Sequence, residues 1–194
     1  LRHKASVSPL GELSTGRFEL LIPEVEAIDR QKTRRVVFCS GKVYYDLLEA
    51  REVNGIDDIA IVRIEQLYPF PITQYADIVE EYGHVEEIVW CQEEPLNQGA
   101  WYQIKHRLQE PLADHQQLYY AGREGAAAPA SGIFKVHMQQ QQALVEAALD
   151  ITSEASNVKK PEKTKRTKKR ALRYRSHSSP NPSAMPRSWH GTSR

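Results

Sequence analysis

Four short apolar runs rich in β-branched and aromatic residues, separated by segments with helical spacing, constrain what this chain can fold into more than any other feature. Arg35-Val36-Val37-Phe38-Cys39, Ile59-Ala60-Ile61-Val62-Arg63-Ile64, Glu87-Ile88-Val89-Trp90-Cys91 and Gln117-Leu118-Tyr119-Tyr120 read as strands. Their apolar stretches are continuous rather than alternating, which is the pattern of a sheet covered on both faces. A weaker run, Phe18-Glu19-Leu20-Leu21-Ile22, is ended by Pro23. Between the strands, residues 42–53 place Val43, Leu47 and Leu48 on one stripe and run into Asn54-Gly55, a C-terminal stop. Residues 72–82 open after Pro71 and close at Gly83, the usual proline-first, glycine-last asymmetry. Residues 99–108 make a shorter helix. Residues 134–149 make the longest, with Val136, Leu144, Val145, Ala148 and Leu149 as its buried positions. Strands interleaved with helices define the α/β class, and the short connections favour parallel strands with right-handed crossovers.

The net charge of +1 conceals a division. Residues 1–151 carry 14 Lys/Arg against 23 Asp/Glu, a net of −9, whereas residues 152–194 carry 12 against 2, a net of +10. Residues 159–175 alone hold ten basic residues and one acid. The remainder of that segment is mostly Ser, Pro, Asn and Arg, so the entropy of ordering it has nothing to offset it. The expectation is a folded domain over 1–151 and a disordered basic tail over 152–194. Such a tail has the charge density of a binder of nucleic acid or of an anionic surface, but Tyr174 and Trp189 are its only aromatics. Nucleic acid is therefore not the expected partner, and a non-functional extension is the preferred reading of the tail. No apolar run is long enough to cross a membrane and no secretory signal is present, so no membrane partner is expected. Cys39 and Cys91 fit small core residues in a reducing compartment. The start on Leu1, with Leu1-Arg2-His3-Lys4 reading as the end of an upstream element, suggests a piece of something longer.

Candidate chemistry is sparse. Ser40-Gly41-Lys42 stands where a strand gives way to a helix. Two readings fit: an anion site built on the helix N-terminus and the lysine, or a plain junction in which Ser40 caps the helix and Gly41 makes the turn. Arg63, Glu65 and Gln66, then Gln92, Glu93, Glu94 and Asn97, then Arg123, follow the other strands at the same carboxyl edge, where open α/β sheets bind ligands or partners. Glu93 and Glu94 are adjacent in an extended stretch and point to opposite sides, which disfavours a joint acid/base role. His84, His106, His115 and His137 lack metal-ligand spacing. Tyr68-Pro69-Phe70-Pro71 combines stiff backbone with two aromatics, as does Trp101-Tyr102 after the Gly99 turn without the prolines, and both suit packing against another domain or subunit.

Several blocks resemble the C-terminal domain of the first, decarboxylating component of 2-oxoglutarate dehydrogenase. They are Cys39-Ser40-Gly41-Lys42-Val43-Tyr44-Tyr45-Asp46-Leu47; the run from Ile61-Val62-Arg63 through Tyr68-Pro69-Phe70-Pro71; and the run from Trp90-Cys91-Gln92-Glu93-Glu94-Pro95 through Gly99-Ala100-Trp101. Tyr120-Ala121-Gly122-Arg123 and the helix start from Val136-His137 to Gln142 continue the likeness in the same order. The resemblance covers about residues 1–151. It implies a transketolase-type C-terminal fold, three layers α/β/α around a five-stranded, mostly parallel sheet with an antiparallel first strand. It also implies a parent enzyme that uses thiamine diphosphate and magnesium in the tricarboxylic acid cycle, works as a homodimer, and hands succinyl groups to the lipoyl arm of a dihydrolipoyl succinyltransferase component. In the family the cofactors sit in preceding domains, and the active-site histidines, magnesium motif and cofactor-activating glutamate map onto no residue here. No catalytic, cofactor or metal residue is therefore assigned, and no cofactor is expected on this chain. The resemblance adds Ser40, Lys42, Arg63 and Arg123 as candidates for an effector or anion site, and Tyr68, Phe70, Glu93, Glu94, Asn97 and Trp101 as interface residues. A bacterial cytoplasmic setting is expected, or the mitochondrial matrix for a eukaryotic relative. Two other readings stay open, a free-standing binding module with a cationic tail and a truncated gene remnant.

Overall fold

In β2 (Arg35–Cys39), buried along its whole length, successive side chains enter two separate apolar cores: Val36 and Phe38 one, Val37 and Cys39 the other. The same division continues through β3 (Ile59–Ile64) and β4 (Glu87–Pro95). Ala60, Val62, Ile64, Ile88 and Trp90 join the first core, and Ile59, Ile61, Val89 and Cys91 the second. The first core is closed by α3 (Ile72–Glu81) and α4 (Trp101–Gln109) through Tyr75, Ile78, Val79, Ile104 and Leu108. The second is closed by α2 (Val43–Val53) and α5 (Phe134–Ala148) through Val43, Leu47, Leu144, Val145 and Ala148. Burying each Leu, Ile, Val or Phe contributes roughly 1.5–3 kcal/mol, so the two helical layers hold the sheet far more firmly than strand propensity alone. The structure is a computed structural model and describes residues 7–151. The expected disordered tail, 152–194, and the reading of Leu1-Arg2-His3-Lys4 lie outside the described residues.

The sheet is completed by β1 (Leu21–Ile22) and β5 (Gln117–Arg123), in the order β1-β3-β2-β4-β5. β1 runs antiparallel to β3, pairing Leu21 with Ile64, and the other three pairings are parallel. This is the expected three-layer arrangement with a reversed first strand. From β2 the chain passes by α2 to β3, then returns by α3 on the opposite face to β4. Neighbouring strands β2 and β4 therefore send their connections to opposite faces, α2 to one and α4 to the other, and a crevice opens at their carboxyl ends.

Element ends match their sequence signals in two places and differ in others. Gly55, at φ 62°, and Asn54, whose side-chain amide donates to the Ala50 carbonyl, stop α2 where expected, and Pro71 opens α3. Ser40 does not cap α2: the helix starts after Lys42 with no side-chain cap, because the turn at Gly41, φ 76°, sets Ser40 one residue too far back. β1 keeps only two of the five expected residues and leaves Phe18 exposed, since only Leu21 and Ile22 find partners on β3. β4 and β5 run past their expected ends, to Pro95 and Arg123, with an irregular register between Cys91 and Pro95. Two short elements carry no apolar signal, α1 (Leu10–Thr15) after Pro9 and a 3-10 turn at Arg30–Lys32 capped by the Asp29 carboxylate. Val136 and Leu48, placed on buried stripes by spacing, are half-buried.

Candidate functional site

The crevice at the switch between β2 and β4 is an open cleft of about 1020 Å³. Ser40 and Gly41 form one end, Trp90, Gln92 and Glu94 its floor, and Tyr68, Pro69 and Phe70 one lip. Tyr68 is 92% exposed. Phe70 is anchored edge-on against Tyr75, ring centres 5.6 Å apart, so the lip is held from below. Gln92, itself buried, organises the floor. Its Oε1 accepts from Trp90 Nε1 at 2.9 Å and from the Trp101 backbone N–H at 3.1 Å, while its amide reaches the Glu94 and Pro95 carbonyls. A methyl group at Gly99 would lie 2.1 Å from the Gln92 amide nitrogen, so the Gly99 turn exists to let that side chain pass. Trp101 packs inward against Tyr120 at 7% exposure, and the outward residue of that pair is Tyr102.

On the opposite face a polar network links α2, β4, β5 and α5. Lys42 Nζ contacts Asp46 at 2.6 Å and Glu93 at 3.1 Å. Partial burial works against the ammonium, but its hydrogen bonds to the two carboxylates outweigh that and raise its pKa. Gln141 donates to the same two carboxylates at 2.7 and 2.9 Å, and its Oε1 accepts from Arg123 Nη2 at 2.9 Å. Arg123 Nη1 lies 3.1 Å from His137 Nδ1. A guanidinium only donates, so that nitrogen is the acceptor and the ring proton sits on Nε2. Glu94, meanwhile, lines the large cleft, so the adjacent carboxylates do part to the two sides of the sheet.

The four anion-site candidates are thus not gathered in one place. Ser40 faces the cleft, and Lys42 is engaged by two acids. Arg63 is bound to Glu65 and lies 4.5 Å above the Tyr44 ring. Partial burial would lower its pKa, and the Glu65 carboxylate more than reverses this. Arg123 alone has no carboxylate at ion-pair distance among the described residues. Asn97 pins the segment after β5 by exchanging two 3.0 Å hydrogen bonds with Ala126. Cys39 and Cys91 stand opposite each other on β2 and β4, both buried and free, and burial pushes both thiols up, which removes them as nucleophiles. Among the described residues no group of three or more His, Cys, Asp or Glu is placed to hold a metal ion, and no helix is long and apolar enough to cross a membrane. The sequence places Gln92 at the carboxyl edge, though not as the group that organises the floor, whereas Gln141 goes unremarked. For Gln141 a signal existed: it shares the stripe of Leu144, Val145 and Ala148, so one glutamine of a run of four had to be buried.

Comparison with known proteins gives a consistent result. The family model described as 2-oxoglutarate dehydrogenase C-terminal matches residues 7–149. The chain is 49% identical over 154 residues to the 2-oxoglutarate dehydrogenase E1 component of Azotobacter vinelandii, and 52% identical over 149 residues to that of Haemophilus influenzae. These alignments cover 78% and 77% of this chain but only 16% of each relative. The corresponding protein of Cupriavidus necator is 49% identical over 148 residues, again over 16% of its length.

Proposed function

Because this chain belongs to the 2-oxoglutarate dehydrogenase C-terminal family, we propose that it acts as the supporting lobe of a thiamine-diphosphate- and magnesium-dependent E1 enzyme whose cofactor-binding domains lie outside it. The parent reaction is the oxidative decarboxylation of 2-oxoglutarate in the tricarboxylic acid cycle, with succinyl transfer to the lipoyl arm of a dihydrolipoyl succinyltransferase. The lobe, residues 1–151, binds the preceding domains and helps hold a homodimer in the cytoplasm, and the basic segment 152–194 is separate from that role. The observation that carries this reading is a match along nearly the whole folded domain at about half identity, over only 16% of each relative. The fully exposed Tyr68 on the lip of an open cleft supports it, since an aromatic anchor of that kind gains by burial against a partner surface.

Co-expression with a chain carrying the preceding domains tests the proposal. The expected result is co-purification, and 2-oxoglutarate-dependent ferricyanide reduction by the assembly but by neither part alone. Tyr68→Ala should weaken co-purification without unfolding the lobe. Thiamine-diphosphate binding and turnover by this chain on its own would overturn the supporting role.

A further inference from the structure

Helices α2 and α5 lie side by side on the sheet face away from the large cleft, and they run the same way. α2 opens just after β2 ends at Cys39, and Arg51, near its other end, reaches the Ile59 carbonyl at the start of β3. In α5, His137 meets Arg123 at the end of β5, while the Ala147 and Ala148 carbonyls meet Arg35 at the start of β2. Both helices therefore begin at the carboxyl edge of the sheet and finish at its amino edge.

Between them lies an open groove of about 810 Å³. Phe134 and Met138 line it toward the carboxyl edge, Val53 and Ile151 toward the amino edge. Phe134 is 77% exposed and Val53 78%, and Met138 is exposed as well. Exposed apolar side chains scattered singly are ordinary, but three lining one groove mark a surface built for contact. Charge divides along the same axis. Lys135, beside Phe134, is exposed and has no acid at ion-pair distance among the described residues. Glu49, one helical turn before Val53, is exposed and has no cation at that distance. Glu146, which accepts from the Gln142 amide, adds a second carboxylate on that side, and Lys42 and Asp46 satisfy each other.

One end of the groove thus offers an aromatic ring and a cation, the other a branched aliphatic chain and an anion. Such a surface is self-complementary under a two-fold axis across the helices. That axis lays Phe134 of one copy over Val53 of the other and Lys135 over Glu49, and makes each contact twice. A foreign partner would have to reproduce this polarity, whereas a second copy already carries it.

We propose that the groove between α2 and α5 is a self-association face, through which two copies of this chain pair across a two-fold axis without help from other domains. The proposal rests on the homodimer reading above, for which it supplies a face, and makes no use of Tyr68 or the large cleft.

Sedimentation velocity of the full chain over a range of concentrations at fixed ionic strength tests it. A reversible equilibrium between one and two chains is expected. Phe134→Glu, at an exposed position that the core does not use, should weaken pairing at least about tenfold while leaving the circular dichroism spectrum intact. Glu49→Lys and Lys135→Glu should each weaken it about tenfold, because every dimer exchanges two opposite-charge contacts for two like-charge ones. The double variant Glu49→Lys/Lys135→Glu should restore it, which only pairing of the groove with itself allows. A chain that stays monomeric at about 100 μM, where even modest interfaces associate, overturns the face; a homodimer held by the preceding domains would then still form in the co-expressed assembly. Dimers that Phe134→Glu leaves intact, or a double variant that pairs no better than the single ones, overturn it too.

Discussion

Replacing Glu24 by glutamine should destabilise this domain more than any other single exchange of one charged atom group. Glu24 follows β1 with its side chain 4% exposed, and Arg51 of α2 meets it at 6%. The guanidinium donates to both carboxylate oxygens, at 2.5 and 3.1 Å, and also to the Ile59 carbonyl at 3.0 Å. The carboxylate accepts in addition from the backbone N–H of Ile61 at 2.6 Å, so this pair ties the segment after β1, the end of α2 and the middle of β3 together. Glutamine keeps the shape and an acceptor for Ile61 but removes the charge that neutralises Arg51. Breaking one half of a buried pair costs about 3–5 kcal/mol, against a total stability on the order of 5–15 kcal/mol. With a urea slope of about 2 kcal/mol per molar, the unfolding midpoint should fall by about 1.5–2.5 M. The assay is equilibrium urea unfolding of the full chain followed by circular dichroism. Arg51→Met alone should also destabilise, by stranding the carboxylate, and the double variant Glu24→Gln/Arg51→Met should recover much of the loss, since no lone charge stays buried. A loss below about 1 kcal/mol for Glu24→Gln, or losses that simply add in the double variant, would refute the reasoning.

Other consequences are as direct. Gly99→Ala should displace the Gln92 amide, breaking its bonds to Trp90 and to the Trp101 backbone, and cost about 1–3 kcal/mol with a shift in tryptophan emission; an unchanged spectrum and stability would show that Gln92 has room to yield. Arg35→Met removes both the contact of two guanidinium nitrogens with one Glu87 carboxylate oxygen and two hydrogen bonds to the last carbonyls of α5, those of Ala147 and Ala148, and should accelerate hydrogen exchange in the last turn of α5, whereas Glu87→Gln should leave that turn protected. Burial raises the pKa of Cys39, Cys91 and Tyr75, and pushes Tyr120 up to about 12. Each of these groups releases its proton less readily folded than unfolded, so their contribution is whole below the unfolded values of 9.0 and 10.0 and is lost as pH rises toward the folded ones. The urea midpoint should therefore decline between about pH 9 and pH 12, and a midpoint that stays level over that range would contradict the burial.

The parts of the fold that sequence discloses are those where one local rule decides. Continuous apolar runs at 36–39, 59–62 and 88–91 admit no surface position, so both faces of the sheet had to be covered, and Asn54-Gly55 and Pro71 end or begin helices through their own backbone preferences. The reversal of the first strand came from family resemblance, since Leu21 and Ile22 hold too little pattern to declare a direction. β4 outran its expected end because Gln92, Glu93 and Glu94 look like loop. Only the sheet reveals that alternate positions there serve opposite sides, one toward Trp90 and the cleft, the next toward Gln141 and α5.

Charge is where local rules lose their hold, and the reason is distance along the chain. Arg51 finds its acid 27 positions away, Arg35 finds Glu87 at 52, and Gln141 reaches Asp46 across 95. Lys42, Arg63 and Arg123 look alike in the sequence, each a cation where a strand meets its following loop. What separates them is partner supply: two acids gather on Lys42, one sits two residues from Arg63, and Arg123 is reached by a glutamine whose own donors face those same two acids. Exchange of Gln141 for glutamate would give Arg123 its missing counter-charge but set three carboxylates around Lys42. The neutral amide there keeps acids and arginine apart, bridging them through its oxygen on Arg123 and its nitrogen on Asp46 and Glu93.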